Sequence, residues 1–361
     1  MKSFQPKCVL VTGGAGFIGS NWLLRMVPRH PEIRFINLDA LTYAGNLMSL
    51  REIESAPNYR FAHGDITDIS LVADVFARND VDAVVHFAAE SHVDRSIRDA
   101  SAFIRTNVNG THVLLEAARR AWEQRTDGSV RFHHISTDEV FGTLGSTGHF
   151  TEETAYAPRS PYAASKASAD HLVRAYGVTY GLPFVLTNTS NNYGPRQFPE
   201  KLIPLVIARA MAGETIPVYG RGEQVRDWLH VDDHCAALEA VLLEGEVGET
   251  YLIGGNEEAR NIDLVTLLLT VVDEHLGHPP GTSASRITFV KDRPGHDFRY
   301  ALDSSKITSK LGWTPEYDLA SGLRQTVAWY VENVGWMDAV RDERYRSYID
   351  EHYRNAAEQQ L

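Results

Sequence analysis

A glycine-rich loop close to the start of the chain constrains the fold more than any other feature of the sequence. It follows an apolar, β-branched run at residues 7–12 and precedes a helical pattern at residues 20–27. Gly13 permits a tight turn, Gly16 lets backbone N–H groups approach a pyrophosphate, and Gly19 lets the helix pack closely on the strand. The order of strand, G-x-x-G-x-x-G loop and helix predicts a dinucleotide-binding unit.

An aspartate after the second predicted strand indicates which dinucleotide is bound. The strand at residues 34–38 ends at Asp39, about twenty residues beyond the glycine loop. A carboxylate at this place accepts hydrogen bonds from the adenosine ribose and repels a 2′-phosphate. Residues 40–43 offer no cation that could receive such a phosphate. The sequence therefore favours NAD over NADP as the cofactor.

Short strands alternate with helical patterns along the first half of the chain. Two further strands end before Gly64-Asp65-Ile66 and before Ala88-Ala89, where small or turn-forming residues would let a cofactor pass. This alternation predicts an α/β fold built on a doubly wound parallel sheet, the Rossmann arrangement. We expect residues 1–190 to form the NAD-binding domain, which carries the catalytic residues. Residues 191–361 should form mainly a smaller, mixed α/β substrate-binding domain, with some segments returning to the Rossmann sheet.

Composition and charge argue against several classes of function. The chain carries 35 Lys and Arg against 47 Asp and Glu, a formal net charge of −12, which argues against nucleic acid as a partner. No apolar run approaches the roughly eighteen residues that a membrane span needs, and residues 1–7 lack a secretory segment. The two cysteines, Cys8 and Cys235, suggest neither a metal site nor a disulfide framework. We therefore expect a cytoplasmic protein without a metal.

A tyrosine and a lysine at helical spacing indicate oxidation of an alcohol. Ser160 and Pro161 predict the start of a helix, because serine suits the N-cap and proline the first helical position. Tyr162 then lies in the first turn, and Lys166 follows one turn later on the same face. An ammonium group near the phenol would stabilise phenolate, so Tyr162 could take the proton of an alcohol while hydride leaves its carbon.

Two adjacent carboxylates, Asp138 and Glu139, add a second chemistry. They follow a predicted strand at residues 131–136. Neighbours inside a strand point to opposite faces, so both can serve one ligand only where the strand has ended. Oxidation needs a single base, whereas removal of water needs one group that takes a proton and another that gives one to the departing hydroxyl. The sequence therefore predicts oxidation, elimination and re-reduction in one site.

These motifs resemble the nucleotide-sugar branch of the extended short-chain dehydrogenase/reductase family, and within it the dTDP-glucose 4,6-dehydratases. The resemblance covers nearly the whole chain, residues 7–336. Its specific segments are Ala88-Ala89-Glu90-Ser91-His92-Val93-Asp94, Ser136-Thr137-Asp138-Glu139-Val140-Phe141-Gly142, Ser160-Pro161-Tyr162, Ser190-Asn191-Asn192-Tyr193-Gly194-Pro195, Phe198-Pro199-Glu200-Lys201-Leu202-Ile203-Pro204, Arg226-Asp227-Trp228 and Asp292-Arg293-Pro294-Gly295-His296-Asp297.

The resemblance implies a hydro-lyase that converts dTDP-glucose into dTDP-4-keto-6-deoxyglucose with tightly bound NAD. Tyr162 would start the oxidation at C4, and Thr137 would bind the C4 oxygen. Asp138 would protonate the departing C6 hydroxyl. Glu139 would remove the C5 proton, which the C4 ketone acidifies. Hydride taken from C4 would then return to C6.

The candidate binding residues form two sets. Those for the cofactor are Gly13, Gly16, Phe17, Ile18, Gly19, Asp39, Tyr43, Asp65, Ile66, Ala88, Ala89, Tyr162 and Lys166. The family's substrate contacts fall on Ser91, Thr137, Asn191, Glu200, Lys201, Leu202, Pro217, Tyr219, Arg226, Asn261, Arg293, His296 and Tyr300. Three of these are cations that can balance a diphosphate within an acidic protein. Arg159 departs from the family's usual pattern, which has a small polar residue before Ser-Pro-Tyr.

Other members of the same scaffold remain as alternatives. A UDP-hexose 4-epimerase would share the glycine loop and the Tyr–Lys pair but would not use the acid pair. A GDP-mannose 4,6-dehydratase would prefer NADP, against which Asp39 argues. A non-catalytic NAD sensor could share the fold, because fold does not determine function. As in the family, helices at residues 102–124 and 161–180 would pair in a homodimer, and a solvated helix is predicted after Trp336.

Overall fold

The computed structural model describes residues 3–125 and 128–341, and its largest element is a seven-stranded parallel sheet. The strands of the protein are β1 (Cys8–Thr12), β2 (Arg34–Asp39), β3 (Tyr59–His63), β4 (Ala83–His86), β5 (Arg131–Thr137), β6 (Phe184–Thr189), β7 (Asn191–Tyr193), β8 (Ile216–Tyr219), β9 (Val225–His230), β10 (Thr250–Ile253), β11 (Glu258–Arg260) and β12 (Ile287–Val290). The large sheet has the order β10-β6-β5-β4-β1-β2-β3. Its reversal at β1 is the doubly wound pattern, so the predicted fold class is confirmed.

Helices cover both faces of this sheet. The helices in the described residues, some of which cover this sheet while others pack beside it, are α1 (Phe17–Arg29), α2 (Ile69–Asn79), α3 (Val93–Arg98), α4 (Ser101–Phe103), α5 (Thr111–Ala121), α6 (Pro161–Tyr180), α7 (Leu202–Ala212), α8 (Val231–Glu244), α9 (Asn261–Leu276), α10 (Ser305–Leu311), α11 (Leu319–Glu332) and α12 (Val334–Val340). In the described part of the chain, none is long and apolar enough to cross a membrane. The terminal helix predicted after Trp336 falls mostly outside the described residues.

Strand β1 shows why the central strands are apolar along their whole length. Successive side chains of a strand point to opposite faces, and here helices cover both faces. Val9 and Val11 pack with Trp22 of α1 on one face, whereas Leu10 packs with Leu114 of α5 on the other. All five side chains of β1, from Cys8 to Thr12, are buried.

A second hydrophobic core lies beside the large sheet. Helices α7, α9 and α11 bury side chains such as Leu205, Leu268 and Leu323 there. They pack with a three-stranded sheet of order β11-β9-β7 and a two-stranded sheet of β12 and β8. Strand β10 pairs with β6, so at least one segment of the second half joins the large sheet. A division into two domains at residue 190 stays a prediction.

The helix predicted at residues 102–124 differs from the observed one. α4 and α5 are joined by a π-helical segment, Ile104–Gly110, and α5 ends at Ala121. Within this segment Asn107 donates to the Glu90 carbonyl at 3.0 Å and to Ser165 Oγ at 2.8 Å. Because a π-helical turn redirects a side chain, this segment brings Asn107 against the end of β4 and against α6. The helix predicted at residues 161–180 is confirmed.

Candidate active site

A cleft opens where β1, β4, β5 and β6 end. The C-terminal edge of a doubly wound sheet is the usual position for a ligand. The lining of the cleft includes the residues predicted to oxidise the alcohol and those predicted to remove water, which are Thr137, Asp138, Glu139, Tyr162 and Lys166. It is also lined by the predicted cofactor residues Gly13, Gly16, Phe17, Ile18, Gly19, Asp39, Asp65, Ile66, Ala88 and Ala89, and by the predicted substrate residues Ser91, Asn191, Glu200 and Lys201.

The glycine loop has the geometry that a pyrophosphate requires. Gly13 has φ of 72°, and a Cβ at this position would come within 2.6 Å of the Ala88 nitrogen. Helix α1 begins after Gly16 without a side-chain cap and without an acidic residue in its first turn. Its first N–H groups therefore point into the cleft as anion donors. The loop fits a dinucleotide cofactor.

Asp39 is held in a fixed orientation at the edge of the cleft. Its Oδ2 accepts from the Ala15 N–H at 2.8 Å, and its Oδ1 accepts from the Leu41 N–H at 2.8 Å. Burial raises the pKa of this carboxyl, and the two backbone hydrogen bonds oppose the rise. An oriented acceptor at this position fits the ribose hydroxyls of an adenosine.

Tyr43, a predicted cofactor residue, does not line the cleft. Its hydroxyl donates to Glu200 Oε1 at 2.9 Å, and the Arg95 guanidinium lies 3.9 Å from its ring centre. Arg95 Nε also lies 3.3 Å from Glu200 Oε2. The structure therefore places Tyr43 behind Glu200, where it orients a residue that does line the cleft.

The acid pair lies in a tight turn that begins as β5 ends. Asp138 is the first residue of a 3₁₀ turn, Asp138–Phe141, so the two carboxylates are released from strand geometry. Thr137 Oγ1 donates to Asp138 Oδ1 at 3.2 Å and accepts from the Glu139 N–H at 3.3 Å. Gly142 ends the turn with φ of 89°, and a Cβ there would come within 2.6 Å of the Ala157 oxygen. The loop is therefore held at both ends.

The two carboxyl groups have different electrostatic environments. Burial raises the pKa of Asp138 well above its usual range, and the neighbouring charge of Glu139 raises it further. Burial also raises the pKa of Glu139, but the positive charges of Lys201, Arg293 and Arg226 oppose the rise. A protonated Asp138 beside an ionised Glu139 is an acid and a base in adjacent positions.

Tyr162 and Lys166 project from the start of α6. Ser160 Oγ accepts from the Ala163 N–H at 3.0 Å and caps this helix, as predicted. Burial and then Glu139 raise the pKa of Tyr162, whereas a hydrogen bond with Thr137 lowers it. Lys166 Nζ donates to the Ile135 carbonyl at 2.8 Å, and burial lowers the pKa of this amine to about 8. In the structure, the Lys166 ammonium group therefore forms its hydrogen bond with the backbone of β5 and not with the phenol of Tyr162.

Five predicted substrate residues lie outside the cleft lining and form two groups of contacting side chains. Arg293 Nε lies 3.5 Å from Asp94 Oδ1, and the Arg293 guanidinium lies 5.1 Å from the Tyr219 ring centre. The Tyr219 and His296 ring centres are 6.2 Å apart. Arg226 lies 4.3 Å from the Tyr300 ring centre. The remaining three are also outside the lining, at the start of α7, in β8 and at the start of α9: Leu202, Pro217 and Asn261.

Several lining residues were not predicted from the sequence. Thr189 is the last residue of β6, where the rule that ligands bind at strand ends would have found it, and Asn192 lies in β7. Thr106 reaches the cleft from the π-helical segment, which no local sequence pattern predicts. Gln197 and Phe198 come from the loop before α7. Within the ranges 3–125 and 128–341, no group of three or more His, Cys, Asp or Glu side chains could hold a metal ion.

Comparisons with known proteins agree with this site. The family model described as GDP-mannose 4,6 dehydratase matches residues 10–326. The dTDP-glucose 4,6-dehydratase of Xanthomonas campestris pv. campestris (strain B100) is 56% identical over 341 residues, 93% of this chain and 97% of that protein. The dTDP-glucose 4,6-dehydratase 1 of Escherichia coli (strain K12) is 52% identical over 358 residues, 96% of this chain and 98% of that protein.

The structural comparison leads to the same group of enzymes. The dTDP-glucose 4,6-dehydratase of Streptomyces venezuelae, crystallised with NAD and a dTDP ligand bound, superposes with a TM-score of 0.84. It is 47% identical, and the match covers 92% of this chain and 99% of that one. The chain is therefore similar in sequence and in fold over nearly its full length.

Proposed function

The chain belongs to the nucleotide-sugar 4,6-dehydratase family and, within it, to the dTDP-glucose 4,6-dehydratases, and from this premise we propose that it dehydrates dTDP-glucose to dTDP-4-keto-6-deoxyglucose. One observation carries the proposal. Asp138 and Glu139 are adjacent residues at the end of β5, and they line the same cleft as Tyr162. An oxidoreductase or an epimerase on this scaffold has no use for such a pair.

Tyr162 and Thr137 act on the C4 hydroxyl. Tyr162 takes the hydroxyl proton, and the Thr137 hydroxyl, which donates to Asp138 Oδ1 in the structure, turns to donate to the C4 oxygen of the bound sugar. Burial and the charge of Glu139 hold the pKa of Tyr162 above its usual range, so a positive charge close to the phenol would be needed to favour phenolate. NAD, when bound by the glycine loop and Asp39, would supply the hydride acceptor for C4 and the hydride donor for C6.

The acid pair removes water across C5 and C6. The C4 ketone acidifies the C5–H bond, and ionised Glu139 takes this proton. Asp138, kept protonated by burial and by the charge of Glu139, gives its proton to the C6 hydroxyl, which leaves as water. Glu139 then returns a proton to C5. Tyr162 ends the cycle with one extra proton and Asp138 with one too few, and the Thr137 hydroxyl, which bonds both groups, offers a path between them.

Both ends of the cleft suit the two nucleotides. The glycine loop and Asp39 would hold NAD, since the carboxylate repels a 2′-phosphate. Lys201, Arg226 and Arg293 would neutralise the diphosphate of the sugar nucleotide, because each of these cations is within electrostatic reach of the cleft at Glu139. This role of the three cations would explain how a protein of net negative charge binds an anionic substrate.

A direct assay tests the function. The purified protein, with its bound cofactor, is incubated in parallel with dTDP-glucose, UDP-glucose and GDP-mannose. We expect a 4-keto sugar, detected by its absorbance in alkali and by mass, from dTDP-glucose. Formation of dTDP-galactose without loss of water would identify an epimerase. Absence of any product with all three nucleotides, from protein that retains NAD, would support a sensor.

We propose further that the chain forms a homodimer. Val178 and Tyr180 on α6 are 89% and 56% exposed, and Ile104 and Ile97 lie exposed on the neighbouring π-helical segment and on α3. An apolar face on these helices fits a second copy of the chain. Light scattering after gel filtration should give twice the mass of one chain, and Val178→Glu should give a monomer. A wild-type protein that is monomeric at micromolar concentration would contradict this proposal.

A cytoplasmic location is the accompanying proposal. Cys8 and Cys235 are both buried and unpaired, which suits a reducing compartment. Fractionation of cells that express the chain with a C-terminal tag tests the location. Recovery of the tagged protein with the membrane or secreted fraction would contradict it.

A further inference from the structure

Asp170 is a fully buried carboxylate next to the active site, and the proposed reaction makes no direct use of it. It lies on α6, one turn after Lys166. Its Oδ2 accepts from Ser136 Oγ at 2.8 Å, from Tyr156 Oη at 2.8 Å and from Asn188 Nδ2 at 3.3 Å. Its Oδ1 lies 3.0 Å from His134 Nε2, which donates to it. Four side chains therefore converge on one carboxylate.

This carboxylate keeps its charge despite complete burial. Burial raises the pKa of Asp170, but the hydrogen bond from His134 and the positive charge of Lys166 outweigh it, so the pKa lies below its usual range. An ionised carboxylate in the interior is very unfavourable unless it is paired and hydrogen-bonded. The cluster supplies those partners, and its geometry is correspondingly restricted.

The cluster joins α6 to the last residues of β5. Lys166 Nζ donates to the Ile135 carbonyl, and Ser136 Oγ donates to Asp170. Asn188 on β6 donates both to Asp170 and, at 3.0 Å, to the Thr137 carbonyl. Three consecutive residues are thus bound to the helix that carries Tyr162, two directly and one through Asn188. The acid pair is the next residue pair along the chain.

We propose that Asp170 is a positioning residue that fixes the end of β5, and with it Thr137 and the acid pair, relative to Tyr162 on α6. Oxidation at C4 and elimination across C5 and C6 occur on one bound sugar, so Tyr162 and the carboxylates must reach adjacent carbons without a change of substrate position. A misplacement of about 1 Å in such an arrangement can cost about a hundredfold in rate.

Asp170 also influences the charge of Lys166. The titratable groups that face this amine are Asp170 on its own helix, His134 on β5 and His86 on β4, and burial lowers the pKa of both histidines. Asp170 is therefore the negative charge that keeps Lys166 protonated. If Asp170 becomes neutral, the pKa of Lys166 falls, and the amine loses its proton at a lower pH.

The test compares Asp170→Asn with Tyr156→Phe in the NAD-loaded protein. Tyr156→Phe removes one donor to Asp170 but leaves the bonds to β5 intact, so its kcat should stay within about twofold of wild type. For Asp170→Asn we expect kcat to fall about tenfold to a hundredfold, with KM and bound NAD nearly unchanged. The alkaline limb of its pH–kcat profile should also move to lower pH.

The inference rests on the proposed function, so the wild-type protein is assayed first with dTDP-glucose. An inactive wild type would reject the proposed function, whereas an active one makes the variants interpretable. A folded Asp170→Asn protein with unchanged kcat and an unchanged alkaline limb would overturn the positioning role. If Asp170→Asn does not fold, Ser136→Ala, which removes one bond between β5 and Asp170, replaces it. Wild-type kcat in that variant would overturn the proposal as well.

Discussion

Arg159 Nη1 lies 3.1 Å from Asp297 Oδ1. This ion pair joins the segment before α6 to the loop between β12 and α10, whose Asp297 carbonyl contacts Arg226. The Asp297 side chain is only 7% exposed, whereas that of Arg159 is 48% exposed. Asp297 Oδ2 accepts from Tyr300 Oη at 2.6 Å, and the Asp297 carbonyl accepts from Arg226 Nη2 at 2.9 Å. The residue that departs from the family pattern thus supports a cation proposed to bind the diphosphate.

Replacement of Arg159 by serine should weaken substrate binding without affecting the chemical steps. A half-exposed ion pair contributes up to about 1 kcal/mol, so we expect KM for dTDP-glucose to rise about twofold to fivefold with kcat unchanged. Steady-state kinetics at low and high salt measure both values. Arg78→Ser, which breaks an exposed ion pair with Asp74 on α2, is the matched control and should leave KM unchanged. Equal KM values for wild type and Arg159→Ser would contradict the coupling.

The acid pair should divide its work between the two proton transfers. Glu139→Gln should abolish solvent exchange at C5, because no base remains to take that proton. Asp138→Asn should permit exchange but slow departure of the C6 hydroxyl. Each change should lower kcat by about a hundredfold to ten-thousandfold. Turnover and deuterium incorporation from heavy water are the measurements, and near-normal turnover in both variants would rule out this assignment of the turn.

Ionisation of the buried Asp138 carboxyl should lower the free energy of unfolding as pH rises. Its pKa in the folded state is raised by burial and by Glu139, and Asp138 Oδ2 has no hydrogen-bond partner among the residues that the structure describes. An aspartate has a pKa of about 4 in the unfolded chain. Where folding raises the pKa, the free energy of unfolding is unaffected by ionisation below the unfolded pKa, and it falls as pH rises from that value towards the folded one. Asp138→Asn should therefore be more stable than wild type at neutral pH, with a smaller difference near pH 4. Parallel thermal melts across this range measure the effect, and a less stable variant at neutral pH would refute it.

NAD should stay bound through turnover, because the hydrogen taken from C4 is returned within the same cycle. Purified protein should contain the cofactor and should need no added reductant. Asp39→Ala should lose most of its NAD on gel filtration, since the carboxylate proposed to hold the ribose is removed. Asp68→Ala, at the exposed N-cap of α2, is the control and should retain it. Stoichiometric release of NADH during turnover would contradict a returned hydrogen.

Local features of the sequence predicted much of the cleft. The glycine loop, the start of α6 and the end of β5 depend on nearest neighbours, such as the Ser160 cap, and α6 begins as predicted. Strand β5 ends at Thr137, one residue later than predicted, and α1 begins at Phe17, three residues earlier than the predicted helix. Features set by distant contacts were not accessible in this way. The Tyr43 side chain stands next to the cleft lining, where it bonds Glu200, and the π-helical segment forms where Asn107 meets Ser165.

The same distinction applies to the predicted substrate residues. Lys201 lines the cleft and donates to the Ser91 carbonyl at 2.9 Å, whereas Arg226 and Arg293 stand outside the lining among aromatic rings. A motif gives the type of residue at each position but not how the loops that carry it pack. The path of the loop around His296, between β12 and α10, depends on contacts such as that of Arg159 with Asp297.

The route of the hydrogen tests the central claim most directly. If Tyr162 starts oxidation at C4 and the acid pair then removes water, the hydrogen lost from C4 must reappear at C6 of the same sugar. A mixture of dTDP-glucose deuterated at C4 and unlabelled dTDP-glucose is converted by the protein, and the product is analysed by NMR and mass spectrometry. We expect deuterium at C6 with no crossover between molecules. Deuterium lost to solvent, or found at C4 of a product that keeps its C6 oxygen, would contradict the account.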